Sequence, residues 1–139
     1  MVMKITIYSI SILLFFASCD NNNTSECANK PCTEIFKTIM VSIKDSENNP
    51  VALDSIKITN LENGNDLTRE INNFEFEAMR EYGSYPLFGD EYARDFSNKE
   101  VEINFKGYVE NLEIISSDYK VGADCCHVIH ISGDTEIVI

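Results

Sequence analysis

After residue 35 the apolar and polar positions of this chain alternate mostly with a period of two. Ile39, Val41 and Ile43 alternate with Met40, Ser42 and Lys44, the pattern of a half-buried strand. Asp45-Ser-Glu-Asn-Asn-Pro50 closes that strand with turn residues, and Val51, Leu53, Ile56 and Ile58 resume the alternation with an out-of-phase step at Asp54-Ser55 that suggests a bulge. Asn63-Gly64 marks another turn, since both residues tolerate positive φ. Leu67–Ile71 and Phe74–Ala78 read as short extended segments. From Arg80 to Ser97 the pattern dissolves, with too much Gly and Pro for one regular element. Val101, Ile103 and Phe105, then Leu112 and Ile114, the neighbourhood of Val128, and finally Ile137 and Ile139 return to period two. The sum is an all-β fold, a single antiparallel β-sandwich of about seven or eight strands, with no helix of ten or more residues carrying a convincing apolar stripe.

The first residues follow a different rule. One charge, Lys4, precedes a nearly continuous apolar run from Ile5 to Ala17, too short for a spanning helix and flanked as a secretory signal is. Ala17 and Ser18 before Cys19 resemble the lipobox of bacterial lipoproteins, although Phe16 stands where that pattern prefers leucine. The resemblance implies that residues 1–18 are removed and that Cys19 is lipidated and becomes the amino terminus. Asp20-Asn-Asn-Asn-Thr-Ser-Glu26 has no apolar residue and reads as a flexible tether. The organisation expected is therefore a signal peptide (1–18), a lipidated cysteine and tether (19–33), and one sandwich domain (34–139).

Composition narrows the function. The formal net charge is −12, and −13 once Lys4 is lost. Such a chain is repelled by phosphate backbones, so nucleic acid is excluded as a partner. Calcium would suit the charge, but no Asp-x-Asp-x-Asp-Gly loop is present.

Two further resemblances concern the domain. Ile39-x-Val41-x-Ile43-x-Asp45, Asn49-Pro50-Val51 and Ile56-x-Ile58-Thr59 look like the opening strands of the carboxypeptidase regulatory-like domain, a transthyretin-like β-sandwich, over residues 36–60. That resemblance implies a noncatalytic accessory or interaction role. The lipobox, the tether and the Asp-Cys-Cys-His-Val stretch together look like small lipoproteins of Bacteroidota, which implies a cell-envelope address, on the outer membrane facing the periplasm or the cell surface. Asp54-Ser55-Ile56 is similar to the O-glycosylation acceptor used in that group.

Setting Cys19 aside, Cys27, Cys32, Cys125 and Cys126 remain, and an even count in an exported chain points to disulfides. Neighbours Cys125 and Cys126 are poor partners, because a trans peptide holds their Cα atoms about 3.8 Å apart where disulfides want roughly 4.4–6.8 Å. The two connectivities left both join residues about 93 to 99 positions apart, a closure worth about 4 to 5 kcal/mol in the chain-entropy model. If Cys125–Ile131 is extended, Cys125 and Cys126 face opposite sides, so one should lie near a strand start, with Gly122-Ala-Asp124 as the turn. The alternative is a metal- or redox-handling site: Cys126 and His130 share a face of that strand and could ligate a metal with a third group, and Cys125-Cys126-His127 could supply redox chemistry.

Little else resembles chemistry. No serine sits in a glycine-flanked elbow, no glycine loop cradles phosphate, and Glu75 and Glu77 alternate with Phe74 and Phe76 as the wet face of a strand would. Tyr82, Tyr85, Phe88, Tyr92 and Phe96 cluster in the irregular stretch, either as a binding loop or as an aromatic cap on an open end of the sandwich. The function expected is that of a lipid-anchored, noncatalytic binding or accessory protein of the envelope. It needs no cofactor, and its partner is the membrane together with another envelope protein, a peptide or a glycan.

Overall fold

The computed structural model describes residue 27 and residues 29–139; the signal segment, Cys19 and the stretch 20–26 lie outside them. Among the described residues are seven strands, β1 (Thr38–Lys44), β2 (Ser55–Asn60), β3 (Ser84–Gly89), β4 (Lys99–Val109), β5 (Leu112–Ala123), β6 (Val128–Ser132) and β7 (Glu136–Val138), with one α-helix, α1 (Asn73–Tyr82), before β3. They form two sheets, ordered β3-β1-β7 and β2-β4-β5-β6. The inward residues of both, among them Val41, Ile43, Ile58, Tyr85, Phe88, Ile103, Phe105, Tyr119, Val121 and Val128, make one apolar cluster. This is the all-β, sandwich-like fold the alternation predicts.

The strands are not all antiparallel. β7 pairs with β1 in parallel, Ser42 opposite Glu136 and Lys44 opposite Val138. The chain arrives there from β6 in the other sheet, so its direction is set by that crossing and not by a hairpin. The step at Asp54-Ser55 is likewise a crossing: residues 51–54 pass from the sheet of β1 to that of β2, and no strand spans them. Leu53 is fully buried on the way, its N–H donating to the Tyr85 hydroxyl, which donates in turn to Val51 O.

Two segments differ from the sequence expectation in type. Phe74–Ala78 is helical because its ends are capped: the Asn72 side chain accepts from Glu75 N, and Gly83 closes the helix at φ 60° with its N–H on Arg80 O and Met79 O. Phe76 and Met79 pack on the core while Phe74 is 88% exposed, so the apparent alternation of the two phenylalanines is coincidental. On this helix Glu75 pairs with Arg69 from the segment before it and Glu77 with Arg80 one turn on, so neither lines a strand. The stretch after Gly83, expected to be irregular, contains β3, buried along nearly its whole length, with Pro86 within an edge strand. Leu67–Ile71 forms no strand, although Leu67 N donates to Ile58 O.

The β4–β5 hairpin is the longest pairing. It turns at Glu110-Asn111, both at positive φ (51° and 64°), as a two-residue hairpin loop requires. Its other end, where Lys99 faces Ala123, leads into the cysteine pair.

Candidate functional site

The turn between β5 and β6 runs from Asp124 to His127. Gly122 and Ala123 complete β5 and do not form the turn that the sequence suggests. The Asp124 carboxylate accepts from Cys126 N (2.7 Å) and His127 N (2.8 Å), and its backbone N–H donates to His127 O. Those two amide hydrogen bonds hold the Asp124 carboxyl below the ordinary range. Because both cysteines lie in this turn, strand alternation does not divide them.

The bonds formed are Cys27–Cys125 and Cys32–Cys126, with Cα separations of 5.2 and 5.3 Å. They fasten the chain before β1 to the β5–β6 turn at two points. The metal alternative loses its thiol here, since Cys126 is bonded to Cys32. His130 is exposed, with Nε2 3.0 Å from Gly133 O.

Next to the bridges stands a residue the sequence did not single out. Asp90 follows β3, and its side chain is only 8% exposed. Oδ2 accepts from Lys37 N (2.7 Å) and lies 2.7 Å from His127 Nδ1, while Oδ1 accepts from Val128 N (2.8 Å). The Asp90 N–H returns a bond to Lys37 O at 2.9 Å. One carboxylate thus joins the residue before β1, the first residue of β6 and the imidazole between them. Burial opposes its ionisation, but the hydrogen bonds from His127, Lys37 and Val128 outweigh burial and hold Asp90 below the ordinary carboxylate range.

An ionised carboxylate only accepts, so Nδ1 of His127 carries a proton, and in the neutral ring Nε2 accepts from the Thr33 hydroxyl 2.8 Å away. Asp, His and hydroxyl stand in the order that activates a nucleophile in acyl-transfer enzymes. Here the hydroxyl follows the bridged Cys32, and both carboxylate oxygens also bind backbone N–H groups of other segments, so the relay ties the strap 27–37 to the sandwich. No sequence signal marks it, because Thr33 and His127 are 94 positions apart and Asp90 and His127 are 37 apart.

Beside His127 opens a shallow cleft of about 430 Å³ lined by Thr33, Ile35, Phe36, Lys37 and Thr38. Ile35 and Phe36 are 76% and 60% exposed, two adjacent apolar residues on the strap.

The aromatic stretch does not form a binding loop. Tyr85 and Phe88 are fully buried in β3; Tyr92 stacks on Phe88 (5.2 Å between centroids) and hydrogen-bonds Leu67 O; Phe96 packs edge-on against Phe88 at 5.4 Å. Only Tyr82, at the end of α1, is exposed. These side chains face inward because the segment is a sheet edge and a helical turn over the core, and not a free loop. Ser55 of the Asp-Ser-Ile stretch is exposed at the start of β2. Cys19 lies outside the described residues. Among the described residues, no group of three or more His, Cys, Asp and Glu is arranged to hold a metal ion. Compared with protein-family models, curated proteins and solved structures, the chain matches none.

Proposed function

We propose that this protein is a noncatalytic accessory or binding lipoprotein of a bacterial cell envelope, anchored by acyl chains on Cys19, with a sandwich domain that engages another envelope protein, a peptide or a glycan. The observation that carries the reading is the double bridge, Cys27–Cys125 and Cys32–Cys126. Two disulfides between the start and the end of a small domain persist only where the compartment is oxidising, and that agrees with the export signal and lipobox-like residues 17–19. The likeness of residues 36–60 to the carboxypeptidase regulatory-like domain points the same way, because that domain serves as an accessory module.

The test is intact mass of the full chain recovered from the envelope fraction of an expressing bacterium, with and without reductant. The reading expects a chain beginning at an acylated Cys19 and four hydrogens lighter than its reduced form, and it expects Cys19→Ala to release the protein from the membrane. An unacylated chain, or four free thiols in the exported protein, would overturn it.

A further inference from the structure

We infer that the Ile35-Phe36 shelf rests in the interface of the lipid bilayer that holds the anchor, so that the domain stands on the membrane by its bridged end; this rests on the lipoprotein reading above. Three observations converge.

The first is where the described chain begins. Cys19 precedes Cys27 by eight residues, which span at most about 29 Å fully extended, and Cys27 is bonded to Cys125 in the β5–β6 turn. The bridged end is therefore the end tethered near the lipid. β5 runs twelve residues from that end to Leu112, roughly 36 Å at about 3.3 Å per residue, so the β4–β5 turn marks the far pole.

The second is chemical. Ile35 and Phe36 are exposed side by side on the tethered end, on a strap that the bridges and the Asp90–His127–Thr33 chain hold rigid. A Phe and an Ile presented on a fixed backbone suit the boundary between headgroups and acyl chains, where buried apolar area stabilises binding. The third is charge: Lys30 and Lys37 flank the pair against a single Glu34, a local positive excess in a chain of net charge −12. Asp90, Glu91, Asp95 and Asp124 also lie at this bridged end, so the contact with lipid rests on the apolar pair with its two lysines and not on a positive surface.

The sequence has no tryptophan, so Phe36→Trp introduces a unique reporter at a position 60% exposed, where the core is not disturbed. The full-length lipidated chain is reconstituted in phosphatidylethanolamine–phosphatidylglycerol vesicles whose acyl chains carry bromine. The expected result is emission shifted to the blue and quenched at least about twofold relative to unbrominated vesicles, while Leu112→Trp, at a residue 68% exposed on the far pole, stays unquenched. A chain that is acylated and floats with the vesicles yet shows no quenching at position 36 overturns the inference and leaves the lipoprotein reading standing. A chain that is not acylated overturns both. A blue shift that appears without lipid and grows with protein concentration in Cys19→Ala would show that a second copy covers the shelf, and it too overturns the inference.

Discussion

Asp90 and His127 come from segments 37 positions apart, yet Oδ2 of one lies 2.7 Å from Nδ1 of the other, and the same carboxylate accepts the N–H groups that open β6 and precede β1. Three strands and the amino-terminal strap therefore meet on one side chain. That convergence fastens the strap to the sandwich through one buried carboxylate.

Asp90→Asn should lower the unfolding free energy by about 2 kcal/mol, since the amide presents hydrogens to one or more of three donors and leaves a buried donor unpaired. Denaturant titration at neutral pH measures it. The acid limb should change as well. The folded Asp90 and Asp124 carboxyls sit below their ordinary values, so their contribution is complete above about pH 4, the unfolded carboxylate value, and is lost as pH falls through the folded values. In Asp90→Asn that decline should be shallower than in the parent chain; an unchanged decline would remove Asp90 from the account of acid stability.

Thr33→Val deletes the hydroxyl that meets Nε2 of His127. On an exposed strap this should reduce stability by at most about 1 kcal/mol. A fluorophosphonate ester should leave the parent protein unmodified at Thr33. Labelling there, read by peptide mass, would turn the tie into an activated nucleophile.

The two bridges should not contribute additively. Either one alone closes a loop of more than ninety residues (sequence separations 98 and 94), worth about 4 to 5 kcal/mol in the chain-entropy model, but once one is formed the other closes only a small ring, worth about 2. Replacing the Cys32–Cys126 pair by serines should therefore cost about 2 kcal/mol, and replacing all four cysteines about 6 to 7. That loss is comparable to the whole stability of many small domains. Equal and additive losses from the two pairs would contradict this scheme.

Gly83→Ala should destabilise the fold by about 2 kcal/mol or more. The position has φ +60°, and an added Cβ would meet Ile43 O at 2.6 Å and Pro50 Cα at 3.0 Å. Those contacts are backbone and cannot be relieved by a rotamer. Thermal unfolding would show the loss, and a variant as stable as the parent would mean that the α1–β3 junction shifts freely.

Alkaline pH should act through Tyr119. Burial, with Asp134 nearby and against a hydrogen bond with Ser117, pushes its hydroxyl up to about 12, and it donates to Asp134 O at 2.7 Å. The raised value means that stability is complete below about pH 10, the unfolded value, and falls as pH rises toward 12. Absorbance of tyrosinate against unfolding by circular dichroism should show Tyr119 ionising together with loss of structure.

Local pattern was sufficient for β1, β2 and β4, because each alternates apolar and polar residues on its own and turn residues bound it; in β5 it marks only the start, at Leu112 and Ile114, which are exposed, and its end at Gly122-Ala123 reads as a turn. The signals of helix α1 are in the sequence, since Asn72, Glu75 three residues later and Gly83 after the last turn form a capping pattern, but the coincidental alternation of Phe74 and Phe76 imitates a strand over the same residues. β3 could not be read in the same way. It is buried along nearly its whole length, so it has no polar face to alternate with, and Gly83 before it and Gly89 at its end look like loop residues in isolation.

By itself the amino-acid sequence determined the β class, the even set of four cysteines and the exclusion of a Cys125–Cys126 bond, since these follow from side-chain period and from covalent geometry between neighbours. Only the tertiary structure decided that Cys27 takes Cys125, that β7 lies parallel to β1, that the aromatics of 85–96 turn inward, and that Asp90 binds His127. Each of those depends on which segments far apart in the chain share one core, and a pairing between distant residues leaves no mark on the local order of either.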